Sequence, residues 1–211
     1  MHSNLQNISV FLVTVSLLGA GCNGNTPVAG ANSSDVSSEK PVGAPVEPPI
    51  TNNSMTNLAF PGILPDDQVT NKIVRVNTPK GEIVFELLPK EGPRAASNFV
   101  YLANQKYYNG LTFHRVVPGF VIQGGDPLGN GTGGPGYQFE DDTVNLPYAK
   151  GIVAMANAGS NTNGSQFFIM LEENPLPPQY SIFGRVLSGQ EVVDKIEIGD
   201  VMSAVAIEEK K

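Results

Sequence analysis

The sequence predicts a mainly β domain, a barrel or sandwich with two lone helices packed on it, preceded by segments that do not join the fold. Three observations predict it. Residues 73–87 (IVRVNTPKGEIVFEL) read as a β-hairpin. Short apolar runs recur down the rest of the chain, separated by Gly- and Pro-rich turns. Only two stretches carry a helical apolar stripe.

In chain order, residues 8–20 (ISVFLVTVSLLGA) form an apolar run too short for a membrane span, which wants about 18 residues or more, and of a length suited to an export signal. Small residues then precede the only cysteine, Cys22. That arrangement is similar to a lipoprotein signal, in which the Cys becomes the lipidated N-terminus. Gly19, where Leu is usual, and the absence of Lys or Arg before residue 8 depart from it. The alternative is ordinary signal cleavage that leaves a free thiol. Residues 1–21 are assigned to the export segment. Residues 22–66 are rich in Pro, Ser, Asn, Gly and Thr without lasting periodicity, and read as a disordered linker. Residues 67–211 are assigned to the folded domain.

Within the domain, Val74 and Val76 alternate with Arg75 and Asn77, and Ile83, Phe85 and Leu87 alternate with Val84 and Glu86. Thr78-Pro79-Lys80-Gly81 supplies the turn between them. Residues 93–104 read as a helix, with Pro93 in the first turn and Ala96, Phe99, Val100 and Ala103 on one face. Strands are expected at 112–116, 120–123, 152–156, 166–170, 181–186 and 203–208, with a second helix at 189–197. Phe113, Phe139 and Phe167 are expected in the core, because a barrel interior must be filled.

Several function classes are excluded. The net charge of −7 and the lack of any basic block argue against a nucleic-acid partner. One cysteine allows no intrachain disulfide, and two histidines make a zinc site poor in ligands. Residues 129–134 (GNGTGG) formally fit a dinucleotide-binding pattern, but no strand–helix unit surrounds them and Pro135 follows; a flexible loop is expected. The acidic run Glu140-Asp141-Asp142 is expected to be solvated.

Residues 108–125 (YNGLTFHRVVPGFVIQGG) resemble the cyclophilin signature. Residues 155–169 (MANAGSNTNGSQFFI) and 180–186 (YSIFGRV) resemble two further motifs of that family, and the likeness runs from about residue 71 to the C-terminus. The resemblance implies a closed eight-stranded antiparallel β-barrel capped by two α-helices. It also implies cis/trans isomerisation of peptide bonds before proline, on proline-containing polypeptides, with no cofactor and no metal. By motif, Arg115 would be the catalytic arginine, with Gln123 and Gln166 orienting it. Phe120, Val121, Phe168, Leu176 and Tyr180 would shape the proline pocket, and Ala156 and Asn157 would bind the peptide backbone. This sequence departs from the family at three of these places. Pro175 stands at the usual Trp, Tyr180 at the usual pocket His, and Val121 at a more common Met. The missing Trp argues against tight cyclosporin binding.

The residue types suit that reaction. Rotation about an amide makes and breaks no bond, yet partial double-bond character sets a barrier of ~18–20 kcal/mol. Millisecond exchange needs that barrier lowered by roughly 5–7 kcal/mol. A donor aimed at the prolyl nitrogen binds the twisted amide best, because there the lone pair leaves conjugation. No general base is needed, so His114 is expected to be packed in the barrel wall, orienting its neighbours. A binding module that holds proline peptides with little turnover is the alternative; a scaffold-only envelope protein is a third reading. The expected setting is an exported, monomeric cell-envelope lipoprotein, attached to a membrane through Cys22.

Overall fold

The computed structural model describes residues 58–211. The expected export segment, Cys22 and the linker up to residue 57 lie outside the described residues.

The chain forms α1 (Asp66–Val69), β1 (Lys72–Thr78), β2 (Gly81–Leu87), α2 (Pro93–Asn104), β3 (Arg115–Val117), β4 (Val121–Gly124), β5 (Ile152–Met155), β6 (Phe167–Met170), β7 (Ile182–Ser188), α3 (Gln190–Val193) and β8 (Ala204–Glu209). All eight strands belong to one antiparallel sheet of order β3-β4-β6-β5-β7-β2-β1-β8. No ladder joins the edge strands β3 and β8. The sheet curls until the segments leading into them meet: Gly110 and Phe113 donate to the carbonyls of Met202 and Asp200, and Gly199 and Met202 donate to those of Phe113 and Leu111.

The hairpin forms as its sequence dictates. Thr78 pairs with Gly81, and the Thr78 hydroxyl donates to the Gly81 carbonyl at 2.8 Å. Gly81 has φ +132°, which the turn reserves for glycine. Helix α2 occupies one mouth of the barrel, where Phe99 meets Phe85, Phe167 and Phe183 and stacks on Tyr108 with ring centroids 4.6 Å apart. Phe113, Phe139 and Phe167 are buried as expected.

Three features differ from expectation. A short α1 precedes the hairpin, and α3 is a single turn rather than a helix to residue 197. Beyond α3 the chain continues in tighter turns, with Lys195 and Ile196 donating to carbonyls three residues back. Burial of Ile196 produced the helical pattern in the sequence. The domain also begins before residue 67. Leu58, Phe60 and Leu64 pack on the core, so residues 58–65 are part of the fold rather than of the linker.

The sheet is apolar on both faces along β4, β5, β6 and β7. Ile122, Val153, Met155, Phe167, Ile169 and Phe183 point into the barrel. Their alternates Val121, Ile152, Ala154, Phe168, Met170 and Ile182 form a second apolar layer on the other face, covered by Tyr148 and by the loops carrying Leu146, Leu176 and Tyr180. The candidate site lies at the margin of that second layer.

Candidate active site

Strands β3 and β4 run side by side with Arg115 opposite Gln123 and Val117 opposite Val121. Strand β6 continues the sheet, placing Phe168 opposite Gln123. The two-residue repeat therefore sends Val121, Gln123 and Phe168 to the same face. The β3–β4 turn adds Phe120. These side chains, with Arg115, Ala156, Asn157, Leu176 and Tyr180, line a cavity of about 220 Å³. Phe168 meets Tyr180 edge to face at 5.6 Å, making an apolar seat.

Arg115 lies at the exposed edge of this cavity and is held from behind. Its Nη1 donates to Gln123 Oε1 at 3.2 Å. Gln123 Nε2 donates to Gln166 Oε1 at 2.9 Å, and Gln166 Nε2 donates to the carbonyls of Gly131 and Gly133 at 3.0 and 2.9 Å. Each link fixes the next: two carbonyls accept only the Gln166 amide NH₂, so its oxygen faces Gln123, whose own oxygen then faces the guanidinium. Gln166 itself lines a larger adjoining cavity of about 430 Å³, which shares Gln123, Ala156 and Asn157 with the first. The structure thus brings together every site residue expected within the described residues, with Gln166 one step removed from the smaller cavity.

The 129–134 loop is pinned rather than free. The buried Asp126 carboxylate accepts the N–H groups of Leu128, Asn130 and Gly131. Those bonds outweigh the desolvation that opposes them and hold Asp126 below the usual carboxylate range. The acidic run is likewise not merely solvated. Asp142 is buried and accepts the Arg94 and Ala95 N–H groups at 3.2 and 2.9 Å, capping the start of α2, where Gly92 offers no side chain. Burial still pushes its carboxyl up. Asp141 accepts from Asn163 Nδ2 at 2.7 Å and the Asn161 N–H at 2.9 Å.

His114 is packed as expected, but neither ring nitrogen has a hydrogen-bond partner, so it orients no neighbour through a hydrogen bond. Burial lowers its pKa, and the nearby Arg115 charge adds to the effect while Asp126 opposes it. Tyr148 is a site residue that sequence reasoning missed. Its hydroxyl lies 3.0 Å from both the N–H and the carbonyl of Tyr180 and 3.3 Å from the Pro177 carbonyl, fixing the loop that presents Leu176 and Tyr180. The only sequence signal was an aromatic among turn residues.

Residues 73–210 match the family model described as cyclophilin type peptidyl-prolyl cis-trans isomerase/CLD. The chain belongs to the cyclophilin-type isomerases. Peptidyl-prolyl cis-trans isomerase B of Bacillus subtilis is 49% identical over 130 residues, 60% of this chain and 91% of the relative. A Helicobacter pylori peptidyl-prolyl cis-trans isomerase is 46% identical over 135 residues, 62% of this chain and 83% of the relative. A cyclophilin type peptidyl-prolyl cis-trans isomerase of Cryptosporidium parvum superposes with a TM-score of 0.62 at 35% identity, covering 66% of this chain and 99% of its own. That isomerase has also been solved in the presence of the dipeptide Ala-Pro. This cyclophilin-type chain is a peptidyl-prolyl cis/trans isomerase, and its substrates are proline-containing polypeptides.

Proposed function

We propose that this isomerase turns Xaa-Pro bonds by seating the proline ring on Phe120, Val121 and Phe168 and offering the Arg115 guanidinium to the prolyl nitrogen. The supporting observation is the alignment of a fixed cation with an apolar seat in one 220 Å³ cavity. In a planar amide the nitrogen is a poor acceptor. As the bond twists, its lone pair localises and the donated hydrogen bond strengthens, so the gain falls on the transition state. Asn157 is held by the Gln179 carbonyl at 2.8 Å and helps keep one flank of the peptide still while the other rotates. No step moves a proton between enzyme and substrate.

The test is exchange kinetics on Arg115→Ala and Arg115→Lys. Both should lose isomerisation by about 10²-fold or more, as when a preorganised donor to a developing charge is removed. Lysine should not rescue, because its point charge lacks the planar fork that Gln123 orients. Wild-type turnover in the lysine variant would refute the role. Retained peptide binding with little turnover in the unaltered protein would instead favour the binding-module reading.

We further propose that the enzyme works outside the cytoplasm as a monomeric envelope lipoprotein, anchored through Cys22. Support comes from the apolar run at 8–20, the small residues before the sole cysteine, and the Pro/Ser/Asn-rich stretch that follows. Cys22→Ser should release the protein from the membrane fraction. A variant that stays membrane-bound rules the anchor out.

A further inference from the structure

Residues 58–65 lie outside the family match, which begins at residue 73, yet they pack on the core, and Phe60 lies against Tyr137, which lines the larger cavity. We propose that this segment is a strap that positions the Tyr137 wall of the larger cavity, with Phe60 as a positioning residue for substrates long enough to reach it.

The strap is held at both ends of its path. At one end, the Leu64 N–H donates to Ser97 Oγ at 2.9 Å, and that hydroxyl donates to the Pro93 carbonyl in the first turn of α2. At the other, the Phe60 ring stacks on Phe139 with centroids 4.8 Å apart and planes 4° from parallel, and tilts against Tyr137 at 6.2 Å. Leu58, Phe60 and Leu64 turn to the core, while Ala59 and Ile63 face solvent.

Behind the strap, two short routes lead to the cavity. Tyr137 lines it directly, and its hydroxyl donates to Asn98 Oδ1 at 2.6 Å. Asn98 Nδ2 in turn donates to the carbonyl of Gly164, another lining residue, at 2.8 Å. Phe139 pairs with Asn163: its N–H donates to the Asn163 carbonyl at 3.0 Å, and its carbonyl accepts from Asn163 Nδ2 at 3.3 Å. Asn163 Oδ1 accepts from Asn157 Nδ2 at 3.3 Å, and Asn157 lines both cavities.

The wall needs such a buttress because its own backbone is weakly ordered by pairing. Residues 133–138 belong to no strand, Gly136 has φ +89°, and the nearest sheet-like contact is the single bridge between Phe139 and Asn163. Where a ladder is missing, side-chain packing sets the position, and Phe60 supplies the aromatic partner. The two cavities share Gln123, Ala156 and Asn157, so a peptide with its proline seated as proposed above would reach the 430 Å³ cavity with its flanking residues. Of the two, Tyr137 borders only the larger cavity, and Asn157 is held independently of the strap by the Gln179 carbonyl at 2.8 Å, so the strap acts on binding of the flanking residues and leaves the twisting amide alone. Loss of such contacts, equal in ground and transition states, raises KM without changing kcat.

The experiment compares the full chain with its Phe60→Ala variant on two substrates by NMR exchange: a blocked Ala-Pro dipeptide and a longer peptide with several residues on each side of the same Ala-Pro. The expected result is a KM raised about two- to tenfold for the longer peptide, the range one lost aromatic pairing implies, with kcat unchanged and the dipeptide unaffected. Phe60→Tyr, which keeps the ring, should restore the longer peptide's KM. Equal change on both substrates, a fall in kcat alone, or no change on the longer peptide would overturn the proposal. If Phe60→Ala does not fold, Phe60→Leu, which keeps apolar bulk but deletes the stack, is read against the same outcomes.

Discussion

Replacing Gln166 by leucine should slow isomerisation through Arg115, a residue it does not touch. Leucine is close to glutamine in size but makes none of its three hydrogen bonds. Those bonds reach Gln123 Nε2 and the carbonyls of Gly131 and Gly133. Both carbonyls line the open cavity, where water can replace the amide, so the stability cost should stay within about 1–2 kcal/mol. The larger effect is on orientation. With no partner at Nε2, the Gln123 amide can flip and present its NH₂ to the guanidinium, which cannot accept. Arg115 then loses a hydrogen bond worth about 0.5–1.5 kcal/mol, and kcat/KM should fall roughly two- to twelvefold. The assay is a double-mutant cycle by NMR exchange, with the same leucine placed in wild-type and Arg115→Ala backgrounds. In the alanine background the substitution should have no further effect, because no guanidinium remains to be oriented. An equal loss in both backgrounds would mean that Gln166 acts on substrate directly, and the relay argument would fail.

Two pH effects follow from other buried groups. Glu86 is held below the usual carboxylate range, first by the hydrogen bond from Lys210 and then by that from Arg185, against the cost of burial. Its stabilisation is complete above its unfolded pKa and is lost as pH falls through the lower folded value. Glu86→Gln should thus cost about 1 kcal/mol at neutral pH, a small figure because Arg185 and Lys210 are 58% and 42% exposed, and the gap to wild type should close in acid. A gap that persists unchanged at low pH in thermal melts would contradict this. His114 is depressed mainly by burial, so the unfolded chain binds its proton more tightly. Stability should rise as pH climbs from the lowered folded value of His114 to its unfolded value of about 6.5, and His114→Gln should flatten that rise. The isomerisation rate should stay level between roughly pH 6 and 8, and a bell-shaped profile would make His114 a participant in the chemistry.

Local chemistry made much of this protein legible in its sequence. The hairpin follows from alternation and from a turn that needs glycine, and α2 follows from Pro93 and one apolar stripe. The residues that line the 220 Å³ cavity could be named in advance because motif order survives in the chain. Arg115 and Gln123, eight residues apart in sequence, become register partners as soon as β3 and β4 pair. What the sequence could not say is which contacts act over long separations. Asp142 reads as one of three adjacent carboxylates, and only folding brings it 47 residues back to the Ala95 N–H. Strands such as FFIM look uniformly apolar, since periodicity reports burial but not which layer does the burying; the outer cover of Tyr148 and its loops put Phe168 in the site and Phe167 in the core. Phe60 sits in a Pro- and Gly-rich stretch that resembles linker by composition. Its place against Phe139, 79 residues away in the chain, depends on a surface that exists only once the curled sheet and α2 have packed together.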